Sequence, residues 1–131
     1  AFARAAGMLE LFRQTWLWVF TPRFFEERPE ALAELERRLL EDPYAQTVEA
    51  FCDQAEACLR HEALEEVRGI SAPTLITVGE ADILTPPAHS RALHERIAGS
   101  RLHVWPEMGH APFWEIPDAF NALVRGFLEA H

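Results

Sequence analysis

Two side chains of the sequence, a carboxylate and an imidazole, follow two short apolar segments at similar distances. Asp82 stands four residues past Val78, and His110 stands five residues past Trp105. If the two segments are neighbouring parallel strands, about 4.8 Å apart, both side chains lie beyond the carboxyl ends of the strands, where functional groups of such sheets collect. We therefore predict a hydrogen bond between Asp82 and His110. Such a pair is the orienting acid and the general base of a nucleophilic triad.

The surrounding sequence predicts the strands and helices that place this pair. Thr74–Val78 and Arg101–Trp105 are short apolar segments typical of buried strands. Helices are predicted over Pro87–Ile97 and from Pro117 onward. This order is a βαβα unit, whose two strands are parallel neighbours joined by a right-handed crossover. Because two parallel strands need partners at their edges and cover on their faces, we expect further strands from outside this chain.

The sequence pattern of the first half of the chain predicts only helices. Apolar residues at helical spacing run over Met8–Phe20. Pro22, Pro29 and Pro43 each stand where a further helix is expected to begin. The pattern changes near Gly69, after which the strands begin.

Two segments of the sequence resemble the last two strands and the final helix of the α/β-hydrolase family. They read PTLITVGEADILTPP and LHVWPEMGHAPFWEIPDAFNALVRGFL. In that family the acid follows one strand in a G-x-x-D context, as Gly79 and Asp82 do here. The histidine follows the next strand directly after a glycine, as Gly109 and His110 do here. The order of acid before histidine matches as well. The resemblance implies that Asp82 and His110 are the catalytic acid and base.

The resemblance also implies an α/β fold and a domain organisation. Residues 1–69 are similar in place and character to the family's helical cap, or lid. Residues 70–131 resemble the carboxyl-terminal βαβα part of the hydrolase core, a portion of a parallel sheet that is incomplete on its own. The resemblance extends over all 131 residues and is most specific over residues 71–130.

The nucleophile of the family has no counterpart in this sequence. The serines lie in the contexts Ile-Ser-Ala, His-Ser-Arg and Gly-Ser-Arg, and none stands in the G-x-S-x-G elbow. In the family the elbow and the oxyanion-hole loop precede the cap. We therefore expect both before Ala1, in a longer protein, and we expect the isolated chain to be inactive.

An aromatic-rich stretch in the first half, together with apolar residues near the predicted pair, suggests a pocket for an apolar substrate. Packing between helices is the alternative interpretation of the aromatic residues. The predicted substrate-binding residues are Trp16, Trp18, Phe20, Phe24, Ile83, Leu84 and Trp114.

Charge and composition bear on partners and location. The net charge is −9, and the 12 basic residues are all arginines scattered along the chain, which argues against nucleic acid and anionic membranes as partners. The longest apolar stretch, Trp16–Phe20, is too short to span a bilayer. Cys52 and Cys58 are predicted to be core thiols, which favours a reducing, cytoplasmic compartment. His89 and His94 are spaced i, i+5, which does not suit shared metal ligation, and we expect neither metal nor cofactor.

These observations favour a hydrolase of a small apolar ester, lactone or similar acyl substrate, acting by a Ser-His-Asp mechanism. The same fold with other chemistry (a haloalkane dehalogenase, an epoxide hydrolase or a C–C hydrolase) is the second interpretation. A non-catalytic ligand-binding protein on the hydrolase scaffold is the third, and a helical interaction module is the fourth. Besides its substrate, the expected partner of the chain is the missing amino-terminal portion or a second copy of itself.

Overall fold

A computed structural model describes residues 7–131. The helices are α1 (Met8–Val19), α2 (Pro22–Glu27), α3 (Pro29–Glu41), α4 (Val48–Arg60), α5 (Pro87–Arg96), α6 (Pro112–Glu115) and α7 (Pro117–Glu129), with a 3₁₀ turn at Glu66–Gly69. The strands are β1 (Leu75–Gly79) and β2 (Arg101–Trp105). The chain divides into two compact units, the first of residues 7–17 and 22–62, the second of residues 18–21 and 63–131.

The first unit is helical, as predicted. Pro22 and Pro29 begin α2 and α3, where the absent N–H of proline costs no helical hydrogen bond. The prediction that Pro43 begins a helix is wrong, because the side chain of Asp42 accepts a hydrogen bond from Tyr44 N (2.8 Å) and holds a turn there. Helix α4 begins five residues later, where the hydroxyl of Thr47 accepts from Ala50 N at 3.1 Å.

The two cysteines lie in α4 as free thiols. Cys52 is half-buried and Cys58 is exposed. The prediction that both lie in the core is therefore wrong for Cys58.

The second unit contains the predicted βαβα order. Strands β1 and β2 are parallel neighbours, and their register pairs Leu75 with Arg101 and Gly79 with Trp105. The connection from α5 to β2 contains Gly99, whose φ of +73° lies in the left-handed region that glycine adopts without strain. Because the register aligns the last residues of both strands, the loops that follow them start at the same level.

Apolar side chains around the sheet hold the second unit together. Val78, Ile97, Trp105 and Phe127 are buried. The ring of Trp105 packs near that of Phe120 of α7, with 6.2 Å between the ring centroids. Helix α7 therefore lies near the carboxyl end of β2.

The sheet has two strands among residues 7–131, so β1 and β2 each have an outer edge that no described strand occupies. Over the same residues, no helix combines the length and the apolar character that crossing a bilayer requires.

The boundary between the compact units falls after Glu62, and the 3₁₀ turn contacts α5 of the second unit. Residues 18–21 also group with the second unit. The assignment of residues 1–69 as a cap and of residues 70–131 as part of a hydrolase core stays a prediction.

Candidate active site

Asp82 and His110 are hydrogen-bonded to each other. The distance between Asp82 Oδ2 and His110 Nδ1 is 2.9 Å. The predicted contact is thereby confirmed, and it joins residues 28 positions apart in the sequence.

The loops after β1 and β2 bring the two side chains together. Glu80 N donates to Trp105 O at 2.8 Å, and Ala81 N donates to Met108 O at 2.9 Å. These two hydrogen bonds extend the pairing of β1 with β2 for two residues beyond the end of β1. The two loops therefore run side by side up to Asp82.

Asp82 is almost fully buried, with 5% of its surface exposed. Its Oδ1 accepts hydrogen bonds from Leu84 N (2.9 Å) and Thr85 N (2.8 Å), and its Oδ2 accepts from the hydroxyl of Thr85 at 2.9 Å. Burial alone raises the pKa of Asp82. The hydrogen bonds from the Thr85 backbone, from His110 and from the Thr85 hydroxyl outweigh burial, so the pKa lies below its ordinary value. Asp82 is therefore a carboxylate at neutral pH.

Thr85 is a member of the site that the sequence argument missed. Its hydroxyl lies 2.9 Å from Asp82 Oδ2 and 3.2 Å from His110 Nδ1, beside the bond between the two. An Asp followed three residues later by Thr in a loop is a local signal for such a turn, because the carboxylate can accept from the backbone and the hydroxyl.

His110 is partly accessible, with 34% of its side chain exposed. Asp82 is a carboxylate that only accepts hydrogen bonds, so we assign the proton of the neutral imidazole to Nδ1. Nε2 then carries the lone pair. An imidazole held in this tautomer can take a proton from a hydroxyl nucleophile and return it to a leaving group.

A serine–histidine contact lies elsewhere in the second unit. Ser100 Oγ is 2.8 Å from His94 Nδ1. Ser100 precedes β2, at the opposite end of the strand from His110, and a strand rises about 3.3 Å per residue. Ser100 therefore cannot reach His110 as its nucleophile.

The predicted substrate-binding residues are distributed over both units. Trp16 is half-buried and Phe24 buried, and both lie in the first unit; the other five lie in the second. Phe20 and Trp114 are in contact edge to face, with ring centroids 6.5 Å apart. The role of all seven residues in substrate binding stays a prediction.

Two of those residues, Ile83 and Leu84, directly follow the acid. Both side chains are exposed, as are those of Trp18 and Trp114. Exposed apolar side chains next to an acid–base pair are suited to contact an apolar molecule.

Potential metal ligands do not converge in the described part of the chain, where no three His, Cys, Asp or Glu residues form a cluster that could hold an ion.

Comparison with known proteins finds hydrolytic enzymes that are similar to parts of this chain. No family model matches the chain. Over 83 residues the chain is 39% identical to a pimeloyl-[acyl-carrier protein] methyl ester esterase of Neisseria meningitidis, a match that covers 63% of this chain and 32% of the relative. Over 59 residues it is 48% identical to a 2-hydroxy-6-oxononadienedioate/2-hydroxy-6-oxononatrienedioate hydrolase of Klebsiella pneumoniae, covering 45% of this chain and 20% of that one.

Among solved structures, the enol-lactonase of Burkholderia xenovorans LB400 superposes with a TM-score of 0.84 and 30% identity. The superposition covers 98% of this chain and 47% of the enol-lactonase. The chain thus spans about half the length of this structure and no more than about a third of the two relatives.

Proposed function

We propose that this chain, which belongs to the α/β-hydrolase family, supplies the acid and the base of a serine-dependent hydrolase that acts on small apolar esters or lactones. The observation that carries the proposal is the 2.9 Å hydrogen bond between Asp82 and His110 beyond the ends of two parallel strands. The activity is proposed for the whole protein, because the sequence of this chain contains no G-x-S-x-G elbow.

In the proposed mechanism, Asp82 holds His110 through Nδ1–H and stabilises the imidazolium that forms when Nε2 accepts a proton. Nε2 takes the proton of the serine hydroxyl as the serine oxygen attacks the carbonyl carbon of the substrate. The proton passes from Nε2 to the leaving alkoxide when the tetrahedral intermediate collapses to an acyl-enzyme. A water molecule then attacks the acyl-enzyme in the same way, with His110 again as base and then acid.

The composition of the two loops that carry Asp82 and His110 favours an uncharged substrate. The segments Gly79–Pro86 and Pro106–Glu115 contain neither lysine nor arginine, but they contain exposed apolar residues such as Ile83 and Leu84. A substrate carboxylate would find no cation on these segments, whereas an acyl chain would find apolar contacts. The relatives that are esterases or lactonases by name support the same substrate class.

A C–C hydrolase is the second candidate function, and a specific observation favours it. The relative with 48% identity over 59 residues is named for a 2-hydroxy-6-oxo dienedioate substrate. Such a reaction would use the same acid–base pair. The two candidates differ in the bond that breaks, and a substrate panel distinguishes them.

The test is hydrolysis by the full-length protein. We expect turnover of p-nitrophenyl esters and of simple lactones, with slower or no cleavage of a 2-hydroxy-6-oxodienoate. His110→Ala should abolish the ester activity, and His89→Ala, which changes an exposed histidine of α5, should retain it. Cleavage of the dienoate alone would favour the C–C hydrolase, and binding of all substrates without turnover would favour a non-catalytic protein.

We also propose a cytoplasmic location. The support is chemical: Cys52 and Cys58 are free thiols, and free thiols are typical of a reducing compartment. Fractionation of cells that produce the full-length protein tests this directly.

A further inference from the structure

The segment Trp18–Thr21 lies against the loop that carries His110. The backbone N–H of His110 donates to the carbonyl oxygen of Val19 at 2.9 Å. A Cβ atom at Gly109 would lie 3.0 Å from the same oxygen, so the absence of a side chain there permits the approach. The base is thereby fixed through its own backbone to a segment some 90 residues earlier in the chain.

A carboxylate fixes the same segment at a second point. Glu115 Oε1 accepts a hydrogen bond from Thr21 N at 3.1 Å, and Glu115 Oε2 accepts from the hydroxyl of Thr21. Thr21 is buried, with 9% of its surface exposed. Hydrogen bonds to an ionised carboxylate are about twice as strong as those between neutral groups, and partial burial strengthens them further.

The His110 loop and Glu115 are parts of one short structure. Glu115 N donates to Ala111 O at 3.1 Å, so the glutamate stands one helical turn beyond the residue that follows His110. The rings of Phe20 and Trp114 are in contact between the two polar attachments. Residues 110–115 are therefore held against residues 19–21 at both ends, at Val19 by His110 and at Thr21 by Glu115.

We propose that Glu115 is a positioning residue for the base, with Thr21 as its partner. The carboxylate of Glu115 holds Thr21, which keeps Val19 O in place to receive the backbone N–H of His110. The imidazole of His110 then stays in the position in which Nδ1 is hydrogen-bonded to Asp82 and Nε2 faces the nucleophile. This role rests on the proposed function of His110 as the base.

The inference predicts more than a contribution to stability. If the Glu115–Thr21 contact positions the base, its loss must lower the rate of the chemical step and loosen the Asp82–His110 bond in a protein that remains folded. A merely structural contact would lower the melting temperature and leave the rate per folded molecule unchanged.

The experiment compares four variants of the full-length protein. Thr21→Val keeps the shape of the side chain and removes its hydroxyl, Thr21→Ser retains the hydroxyl, and Glu115→Gln removes the charge. The matched control is Thr74→Val, because the Thr74 hydroxyl donates to Ala72 O at 2.9 Å at the far end of β1. The measurements are kcat and KM for a p-nitrophenyl ester, the melting temperature, and the proton NMR signal of His110 Nδ1–H, assigned by its loss in His110→Ala.

We expect Thr21→Val and Glu115→Gln to lower kcat by about tenfold to hundredfold, the size of effect that a small displacement of a catalytic group produces, with KM nearly unchanged. The Nδ1–H signal should weaken or broaden in both. Thr21→Ser should restore kcat and the signal, and Thr74→Val should resemble the unmodified protein. Unchanged kcat and an unchanged signal in Thr21→Val would overturn the inference.

The NMR signal separates this inference from the proposed function. If the unmodified protein hydrolyses none of the esters, the proposed function fails, but the response of the Asp82–His110 bond to Thr21→Val still tests the positioning. If Glu115→Gln does not fold, the pair Thr21→Val and Thr21→Ser decides the outcome.

Discussion

Gly79 and Gly109 approach each other so closely that a side chain at position 79 would overlap the carbonyl oxygen of Gly109. The same Cβ atom would lie 2.7 Å from the carbonyl carbon of Met108. Gly79 is the last residue of β1 and precedes Asp82 by three positions, while Gly109 directly precedes His110. The distance between the loops of the acid and the base is therefore set by the backbone itself.

Gly79→Ala should separate the two loops. We expect the free energy of unfolding to fall by about 1–3 kcal/mol, as in other overpacked sites, together with a large loss of turnover. Urea denaturation and ester hydrolysis by the full-length protein measure the two effects. The control is Gly126→Ala, where a Cβ atom meets nothing within 4 Å in helix α7, and where stability should rise by about 0.5–1 kcal/mol. Equal stability of the two variants would contradict the close approach.

His110→Ala should abolish turnover and leave the fold intact. The imidazole is 34% exposed and carries little packing, whereas its loss removes the base from every proton transfer. In the full-length protein we expect kcat to fall by about four to six orders of magnitude, with a melting temperature close to that of the unmodified protein. Near-normal ester hydrolysis would show that another group is the base.

Asp82→Asn should also damage catalysis while it preserves the loop. The asparagine oxygen can still accept from Leu84 N and Thr85 N, but its NH₂ group cannot accept the Nδ1 proton of His110. The imidazole would then adopt the wrong tautomer, which costs about 10⁴ in kcat in other triads. Steady-state kinetics with a p-nitrophenyl ester checks this, and a loss of less than tenfold would argue against the orienting role of Asp82.

Stability in acid should depend on Asp82. Because its pKa in the folded protein lies below the ordinary value of 3.8, the unfolded chain takes up the proton first. The stabilisation is present above that value and is lost as the pH falls through the folded pKa. Urea unfolding between about pH 5 and about pH 2 should therefore show a steeper loss for the unmodified protein than for Asp82→Asn.

Three other carboxylates with a lowered pKa, those of Glu30, Glu34 and Glu65, must be considered in that comparison. Arg37 and Arg38 lower the pKa of Glu34 to about 2. All three glutamates are present in both proteins, so their contributions cancel in the difference. Parallel curves for the two proteins would mean that Asp82 titrates alike in the folded and unfolded states.

The sequence predicts Asp82 and His110 of the site because their positions depend on local sequence patterns. Asp82 and His110 follow strands whose apolar character and flanking residues are visible in the sequence, and the parallel register aligns the strand ends. The similar offsets, four residues past Val78 and five past Trp105, then place both side chains in the same region beyond the strand ends. The fold class was predictable for the same reason, and the likeness to the enol-lactonase confirms it.

The remaining contacts depend on residues distant in the sequence. Thr21 and Glu115 are 94 positions apart, and neither stands in a pattern that marks a hydrogen-bonded pair. Helix α6 was also not predicted, since its four residues are too few to show helical periodicity. The helix predicted at Pro43 does not form, because proline favours turns as well as the first residue of a helix.

The last prediction concerns residues 1–131 produced alone. We expect no hydrolysis of p-nitrophenyl esters, since the chain offers His110 no serine in an elbow.

We also expect self-association, or binding to a separately supplied amino-terminal portion. The outer edge of β1 has no strand partner among the described residues, and exposed strand edges pair readily with other strands. Among the same residues, Trp105 Nε1 is buried without a hydrogen-bond acceptor, a cost that an added segment could remove. Size-exclusion chromatography with light scattering measures the association. An active, well-folded monomer of 14.9 kDa would contradict both expectations.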